Sequence, residues 1–191
     1  QEFIANDRII GGQTPACAER ARALYARFVE GEIFLTDATT AETAKLLENT
    51  YRDVNIALAN ETACLCERLG IDFGEVARFA NRHPRVNVHA AGPGVGGHCI
   101  PVDPWFLTES SPDEARLIRQ ARERNNGMPA HVVAVTQKLL AQVQPPAKVA
   151  VLGVAYKGNV DDVRESPALR VVALLEAAGL RVAVHDPHVR Q

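Results

Sequence analysis

Cys99 stands in the stretch "AAGPGVGGHCIPVDPWFL", residues 90–107, with four glycines and a proline ahead of it and two prolines bracketing Asp103. Glycines let a backbone approach a ligand and offer N–H groups to an anion, and prolines fix the chain after the thiol at low entropic cost. Two readings fit. One is a rigid mount that holds a nucleophilic thiol beside a negatively charged molecule, with Asp103 four residues on. The other is a structural Gly/Pro turn in which the cysteine is incidental. A dinucleotide cradle does not fit, because G-x-G-x-x-G must lie between a strand and a helix. Gly92, Gly94 and Gly97 keep that spacing, with Gly96 between them, but Pro101 and Pro104 predict that no helix follows at once. "GVAYKG", with only Gly153 and Gly158, misses as well. His98 adjoins Cys99, but neighbours in an extended segment point to opposite sides, so no thiol–imidazole dyad is expected.

Three further groups have chemical potential. Lys45 and Asn49 are spaced i, i+4 on a helical pattern, on the side away from its leucine stripe. An ammonium and an amide side by side are donors suited to a developing oxyanion, though the same pair also reads as a solvated helix face. Lys157 and Arg164 follow an apolar strand, at the carboxyl end where doubly wound sheets bind ligands, and "VDDVRESP" around them also reads as a charged loop. Cys17, Cys64 and Cys66 read as small buried hydrophobes. Cys64 and Cys66 face different ways on a helix and so neither pair nor chelate together, and no cysteine spacing matches a zinc site. Free thiols point to a reducing, cytoplasmic compartment.

These groups need a scaffold, and the composition supplies an ordinary globular one: 191 residues, 47% hydrophobic and 23% charged. Net charge is 21 − 23 = −2, so no global basic field recruits nucleic acid or a membrane surface. No apolar run approaches the ~20 residues that span a bilayer, and "QEFIANDRII" lacks the regions of a signal peptide. The chain opens with a short apolar piece, a Gly11-Gly12 turn and a helix from Pro15 towards Gly31, and "EIFLT" reads as a strand. "TTAETAKLLENTYRDVNIALANETACLCERLG" has Thr39 and Glu42 as a capping box and Gly70 as a stop. Leu47, Tyr51, Val54, Leu58, Leu65 and Leu69 form its apolar stripe, over roughly 30 residues or about 45 Å. Ile56 and Ala63 lie on the opposite side. A helix so long, apolar on both faces, predicts a spine that buries a second subunit as well as its own domain. "DFGEVARFANR", "DEARLIRQARERNNG" and "MPAHVVAVTQKLLAQV" read as three more helices, the last opening near Pro129.

At Pro145-Pro146 the pattern changes. "KVAVLGVAY", "SPALRVVALLEAAG" with Ser166 as cap and Pro167 first, and "RVAVHDP" form a βαβ unit, the opening of a parallel α/β domain. The expected architecture is a mainly α central dimerisation domain with a long spine helix, followed by the start of a Rossmann-like α/β domain. One βαβ unit leaves open sheet edges and little core, so the chain reads as a fragment cut inside a domain.

"AETAKLLENTYRDVNIALANE", "GPGVGGHCIPVDPWFL" and "GVAYKGNVDDVRESPA", in this order and spacing, resemble the nucleotide-sugar 6-dehydrogenases of the UDP-glucose and GDP-mannose dehydrogenase family. The resemblance covers essentially the whole chain but about half of a family member. It implies the end of an NAD-binding domain at 1–35, a helical central domain at 36–144 and a truncated UDP-binding domain at 145–191. "NRHPRVNV…GPGVGGHCIPVDPWF" resembles members acting on UDP-N-acetyl-D-mannosamine, with UDP-N-acetylglucosamine the close alternative. UDP-glucose members usually carry lysine where Val102 stands.

The resemblance implies oxidation of a sugar C6 alcohol to a carboxylate with two NAD, through a Cys99 thiohemiacetal and thioester. Lys45 and Asn49 would stabilise oxyanions and Asp103 would position or activate water. Ala90, Ala91, Gly92, Pro93, Gly94, Val95 and Gly96 would wrap the substrate. Arg85 would reach the substrate of a homodimeric partner, Tyr156 and Lys157 the nucleotide, and Arg164 the NAD. The fragment alone is expected to be inactive.

Overall fold

The structure is a computed structural model and describes residues 2–189. Gln1, Arg190 and Gln191, at the outer edges of the first and third expected segments, lie outside the described residues. Two compact units are present, Gln1–Glu48 and Asn49–Gln191.

The first unit holds α1 (Glu2–Ala5), β1 (Arg8–Gly12), α2 (Pro15–Tyr25) and β2 (Ile33–Asp37). β1 and β2 pair in parallel, with Arg8 opposite Ile33 and Gly12 opposite Asp37. Gly11 and Gly12 are therefore the end of a strand rather than a turn. A Cβ on Gly11 would lie 2.7 Å from Ala41 Cβ, and one on Gly12 2.6 Å from the Ala18 nitrogen, so bare backbone lets the strand end pack against its helices. Thr14 caps α2, with Pro15 in the first turn, and the helix ends at Tyr25, well before Gly31.

The spine is α3 (Ala38–Leu69), 32 residues and about 48 Å long. Its cap is Asp37, not Thr39. The Asp37 carboxylate accepts from the Thr40 nitrogen at 2.9 Å and the Thr40 hydroxyl at 2.6 Å, and these bonds hold it below the usual carboxylate range. Gly70 stops the helix at φ 70°, where only glycine is unstrained. The apolar stripe forms, but it faces outward: Leu47, Leu58, Leu65 and Leu69 are each more than half exposed. The buried residues of α3 include Asn49, Thr50, Asp53 and Asn60. Of the three cysteines expected in the interior, Cys66 is buried, Cys64 half-buried and Cys17 exposed.

The helices α4 (Phe73–Ala80), α5 (Asp103–Ser110) and α6 (Arg116–Leu140) complete the helical part. Helix α5 corrects the expectation drawn from the prolines: Pro104 sits in its first turn, where a missing N–H leaves nothing unpaired. Helix α6 is one helix where two were expected. Pro129 deprives the Asn125 carbonyl of its helical donor, and that carbonyl faces Gly94, whose Cβ would come within 3.0 Å of it.

β3 (Lys148–Leu152), α7 (Pro167–Ala177) and β4 (Arg181–His185) form the expected βαβ unit, parallel from Lys148 opposite Arg181 to Leu152 opposite His185. Ser166 caps α7 and donates to the Val154 carbonyl at 2.7 Å. Val133 of α6 packs with Val171 and Leu175 of α7 above Val149, Val151 and Val182 of the strands.

Candidate active site

The glycine loop is held at two points. Gly92 N–H donates to Asn60 Oδ1 at 2.8 Å, and Gly97 N–H donates to the Arg164 carbonyl at 3.0 Å. Between them the loop lies against Tyr156 and the turn before α7. A Cβ on Gly96 would meet the Glu165 carbonyl and Tyr156 Cβ at 2.8 Å each, and Gly97 sits at φ 91° with the Tyr156 ring 3.0 Å from its Cβ position. These two glycines are therefore required by close approach and by backbone conformation. The Cys99 carbonyl accepts from Val102 N–H at 3.0 Å and Asp103 N–H at 2.8 Å, so the thiol-bearing residue closes the turn that launches α5. Asp103 Oδ2 in turn accepts from Asn49 Nδ2 at 2.5 Å.

Beneath the loop lies a buried polar network that the motifs did not reveal. Arg122 donates to Asp53 Oδ1 at 2.5 Å and to Asn126 Oδ1 at 2.6 Å. Asn125 donates to Asp53 Oδ1 at 2.8 Å and accepts from Asn60 at 2.9 Å. Asp53 and Arg122 are 0% and 2% exposed. Burial pushes the Asp53 carboxyl above its usual range, against the opposing pull of Arg122 and Asn125. The chain of contacts Arg122–Asp53–Asn125–Asn60–Gly92 thus reaches the loop. Its signal in the sequence is polar residues at 49, 53 and 60, one helical face inside an apolar pattern. Arg122 and Asn125 also line a cavity of about 270 Å³ with Gly94, Val102, Trp105 and Arg170.

His98 and Cys99 correct the expectation that they diverge. His98 Nδ1 lies 2.9 Å from Cys99 Sγ. Residues 97–99 bend instead of extending, and Gly97 at φ 91° leaves the extended region, so the alternation of a strand does not apply. Close by, Arg164 grips Asp162 at 2.5 Å. Hydrogen bonds from Arg164, with smaller contributions that include the His98 charge, lower the Asp162 carboxyl to about 2. Arg164 is raised above its ordinary range, first by its hydrogen bond to Asp162, with lesser contributions from Tyr156 and Cys99. Thiol, imidazole, guanidinium and carboxylate thus share one locale.

At the carboxyl ends of β3 and β4, Lys157 lines a depression of about 400 Å³ with Pro93, Gly153, Ala155, Asn159 and Asp186. Asp186 accepts from Val154, Ala155, His188 and Val189 N–H groups at 2.7–3.2 Å, which hold its carboxyl well below the usual range. The structure therefore brings Asn49, Asp103 and Cys99 together, and joins Gly96 and Gly97 to Tyr156 and Arg164. Ala90 is exposed; Ala91 and Val95 are half-buried. Lys45 is exposed and pairs with Glu48 at 2.8 Å. The Arg85 side chain is exposed and has no hydrogen bond or ion pair among the described residues.

The chain is similar to known proteins along its whole length. Two models of the UDP-glucose/GDP-mannose dehydrogenase family match: the central domain over residues 39–127 and the UDP binding domain over residues 150–191. The UDP-N-acetyl-D-mannosamine dehydrogenase of Methanocaldococcus jannaschii is 54% identical over 190 residues, covering 100% of this chain and 44% of that protein. The NDP-N-acetyl-D-galactosaminuronic acid dehydrogenase of Ralstonia nicotianae is 48% identical, covering 100% and 45%. A solved structure of the UDP-N-acetyl-mannosamine dehydrogenase from S. aureus matches with a TM-score of 0.90 and 51% identity, over 100% of this chain and 46% of that one. The chain spans about half the length of these relatives.

Proposed function

Because the chain belongs to the UDP-glucose/GDP-mannose dehydrogenase family, we propose that it carries the covalent chemistry of an NAD-dependent nucleotide-sugar 6-dehydrogenase acting on UDP-N-acetyl-D-mannosamine. The observation that carries this reading is Cys99 itself, closing a turn against Asp103 while Asn49 holds the Asp103 carboxylate. Cys99 Sγ adds to the C6 aldehyde of the sugar to give a thiohemiacetal, and oxidation gives a thioester that water cleaves to the uronate. Asn49 and Lys45 donate to the oxyanions, and Asp103 orients the water. Ala90 to Gly96 wrap the sugar nucleotide by backbone contacts, while Tyr156 and Lys157 meet its nucleotide at the strand ends. Two NAD, bound in turn, would supply the hydride acceptors, one for each oxidation. The contribution of these residues to them is Arg164, an exposed guanidinium fixed by Asp162, which suits an anionic dinucleotide.

The substrate follows the relatives named for UDP-N-acetyl-D-mannosamine; UDP-N-acetylglucosamine is the alternative that kinetics must separate. The segments 1–35, 36–144 and 145–191 act as the end of an NAD domain, a helical central domain and a UDP domain. The outward stripe Leu47, Leu58, Leu65 and Leu69 pairs two copies, with Arg85 reaching the partner's substrate; Leu58→Glu with Leu65→Glu then gives a monomer by light scattering. We place the protein in the cytoplasm, and no helix among the described residues is long and apolar enough to cross a membrane.

The test is NADH and uronate formation from UDP-N-acetyl-D-mannosamine, with and without an added dinucleotide-binding domain. Activity is expected only with that domain and is abolished by Cys99→Ser. Uronate release at the normal rate by Cys99→Ser overturns the covalent mechanism. A second reading, a non-catalytic dimerising and UDP-binding piece, is favoured because Gly92, Gly94 and Gly97, which spell G-x-G-x-x-G, lie in a loop and do not join a strand to a helix. It stands if no added domain restores turnover.

A further inference from the structure

We propose that His98 is a catalytic residue, the base that takes the Cys99 thiol proton and returns it. The proposal rests on the covalent role given to Cys99 above, but it starts from a contact no motif announced: His98 Nδ1 lies 2.9 Å from Cys99 Sγ. That distance is within reach of direct proton transfer. With its own hydrogen on Nε2, a neutral imidazole turns the Nδ1 lone pair toward the S–H; once protonated, it donates to the thiolate from the same atom.

The contact lies beside a fixed ion pair: Arg164 grips Asp162 at 2.5 Å, and the Arg164 carbonyl accepts from Gly97 N–H, next to His98. The ring is held by the backbone on both sides: Gly97 N–H is fixed to the Arg164 carbonyl, and the Cys99 carbonyl takes two N–H groups from the start of α5. His98 makes no other side-chain hydrogen bond among the described residues, so its Nδ1 is committed to the thiol.

The step balances without any added reagent. The S–H bond breaks as the S–C6 bond to the aldehyde forms. The proton passes through Nδ1 to the former carbonyl oxygen, giving the thiohemiacetal with no change in electron count. When water later cleaves the thioester, Nδ1 takes a proton from the attacking water and passes it to the departing sulfur, so the thiol is regenerated and the imidazole returns to its starting state.

The experiment reads the thiol rather than turnover. The purified chain is alkylated with iodoacetamide at pH 7, and the rates at Cys17, Cys64, Cys66 and Cys99 are followed separately by peptide mass spectrometry. In His98→Ala and in His98→Gln the Cys99 rate is expected to fall about tenfold or more, as thiolate formation loses its base, with the other three unchanged. Added imidazole should restore part of the rate in His98→Ala, where space is left for it, and not in His98→Gln. A Cys99 rate within twofold of the parent in both variants overturns the proposal, as does a fall shared by all four cysteines. The covalent dehydrogenase reading fails separately, if Cys99→Ser keeps its turnover while the His98 variants still slow alkylation.

Discussion

Asn49 on α3 donates to the Asp103 carboxylate at 2.5 Å, across 54 residues of sequence. The bond takes up one oxygen of Asp103 and leaves the other to accept from water. Asn49→Ala releases the carboxylate, and Asn49→Asp sets two carboxylates against each other. We expect kcat to fall by on the order of 10²-fold for the alanine variant, the usual loss when one such donor is removed. The aspartate variant should fall further. Steady-state NADH formation in the assembled enzyme checks this, and equal kcat for parent and Asn49→Ala contradicts the assignment.

The buried network under the loop makes a prediction about stability. Removing Asp53 leaves the Arg122 guanidinium uncompensated in the interior, which costs about 3–5 kcal/mol. Asn60→Ala deprives Gly92 N–H and Asn125 of partners and should cost about 1–3 kcal/mol. Urea unfolding followed by circular dichroism ranks the two. If Asp53→Ala unfolds at the parent midpoint, the ion pair is not the support described.

Which parts of this were legible in the sequence has a physical explanation. Ser166 and Pro167 declared the start of α7, and Gly70 the end of α3, because caps act through local backbone groups. The leucine spacing in α3 gave a face but not its direction. Periodicity does not say which side of a helix turns inward, and here the inward side carries Asn49, Asp53 and Asn60. Pro129 predicted a break that tertiary packing absorbed, since the carbonyl it freed turned to Gly94. The Cys99 loop was recognisable from its glycines and prolines. The His98 contact was not, because it depends on a bend that only the contact of Gly97 with Tyr156 reveals.

Glycines in the loop should respond unequally. A Cβ on Gly92 meets nothing within 4 Å, so Gly92→Ala is expected to be benign. Gly97→Ala places an alanine at φ 91° against the Tyr156 ring, a conformation that costs about 1–3 kcal/mol. Gly96→Ala meets the Glu165 carbonyl at 2.8 Å and should also disturb the loop. Thermal unfolding together with Cys99 alkylation separates them. Similar behaviour of all three would contradict the packing of the loop on Tyr156.

Asp162 and Asp186 make the second unit sensitive to acid. Both carboxyls are lowered on folding from the ordinary 3.8, Asp162 to about 2 by Arg164 and Asp186 further by backbone N–H groups. A lowered carboxyl contributes stability that is present above the unfolded value and is lost as pH falls through the folded one. Denaturant midpoints should therefore decline from near pH 4 downward. The Asp162→Asn, Asp186→Asn double variant should start lower and show a flatter profile, and a profile as steep as the parent's would exclude these groups as the cause.

The two anchors of the glycine loop have a mechanical consequence. Gly92 is fixed to α3 and Gly97 to the turn before α7, and the five steps between them span at most about 17 Å when fully stretched. A tether that short has little slack. If the strand ends shift away from the spine, as a nucleotide enters or leaves, the displacement cannot be taken up between the anchors. It arrives as tension at the residues just beyond Gly97, and the second of these is Cys99.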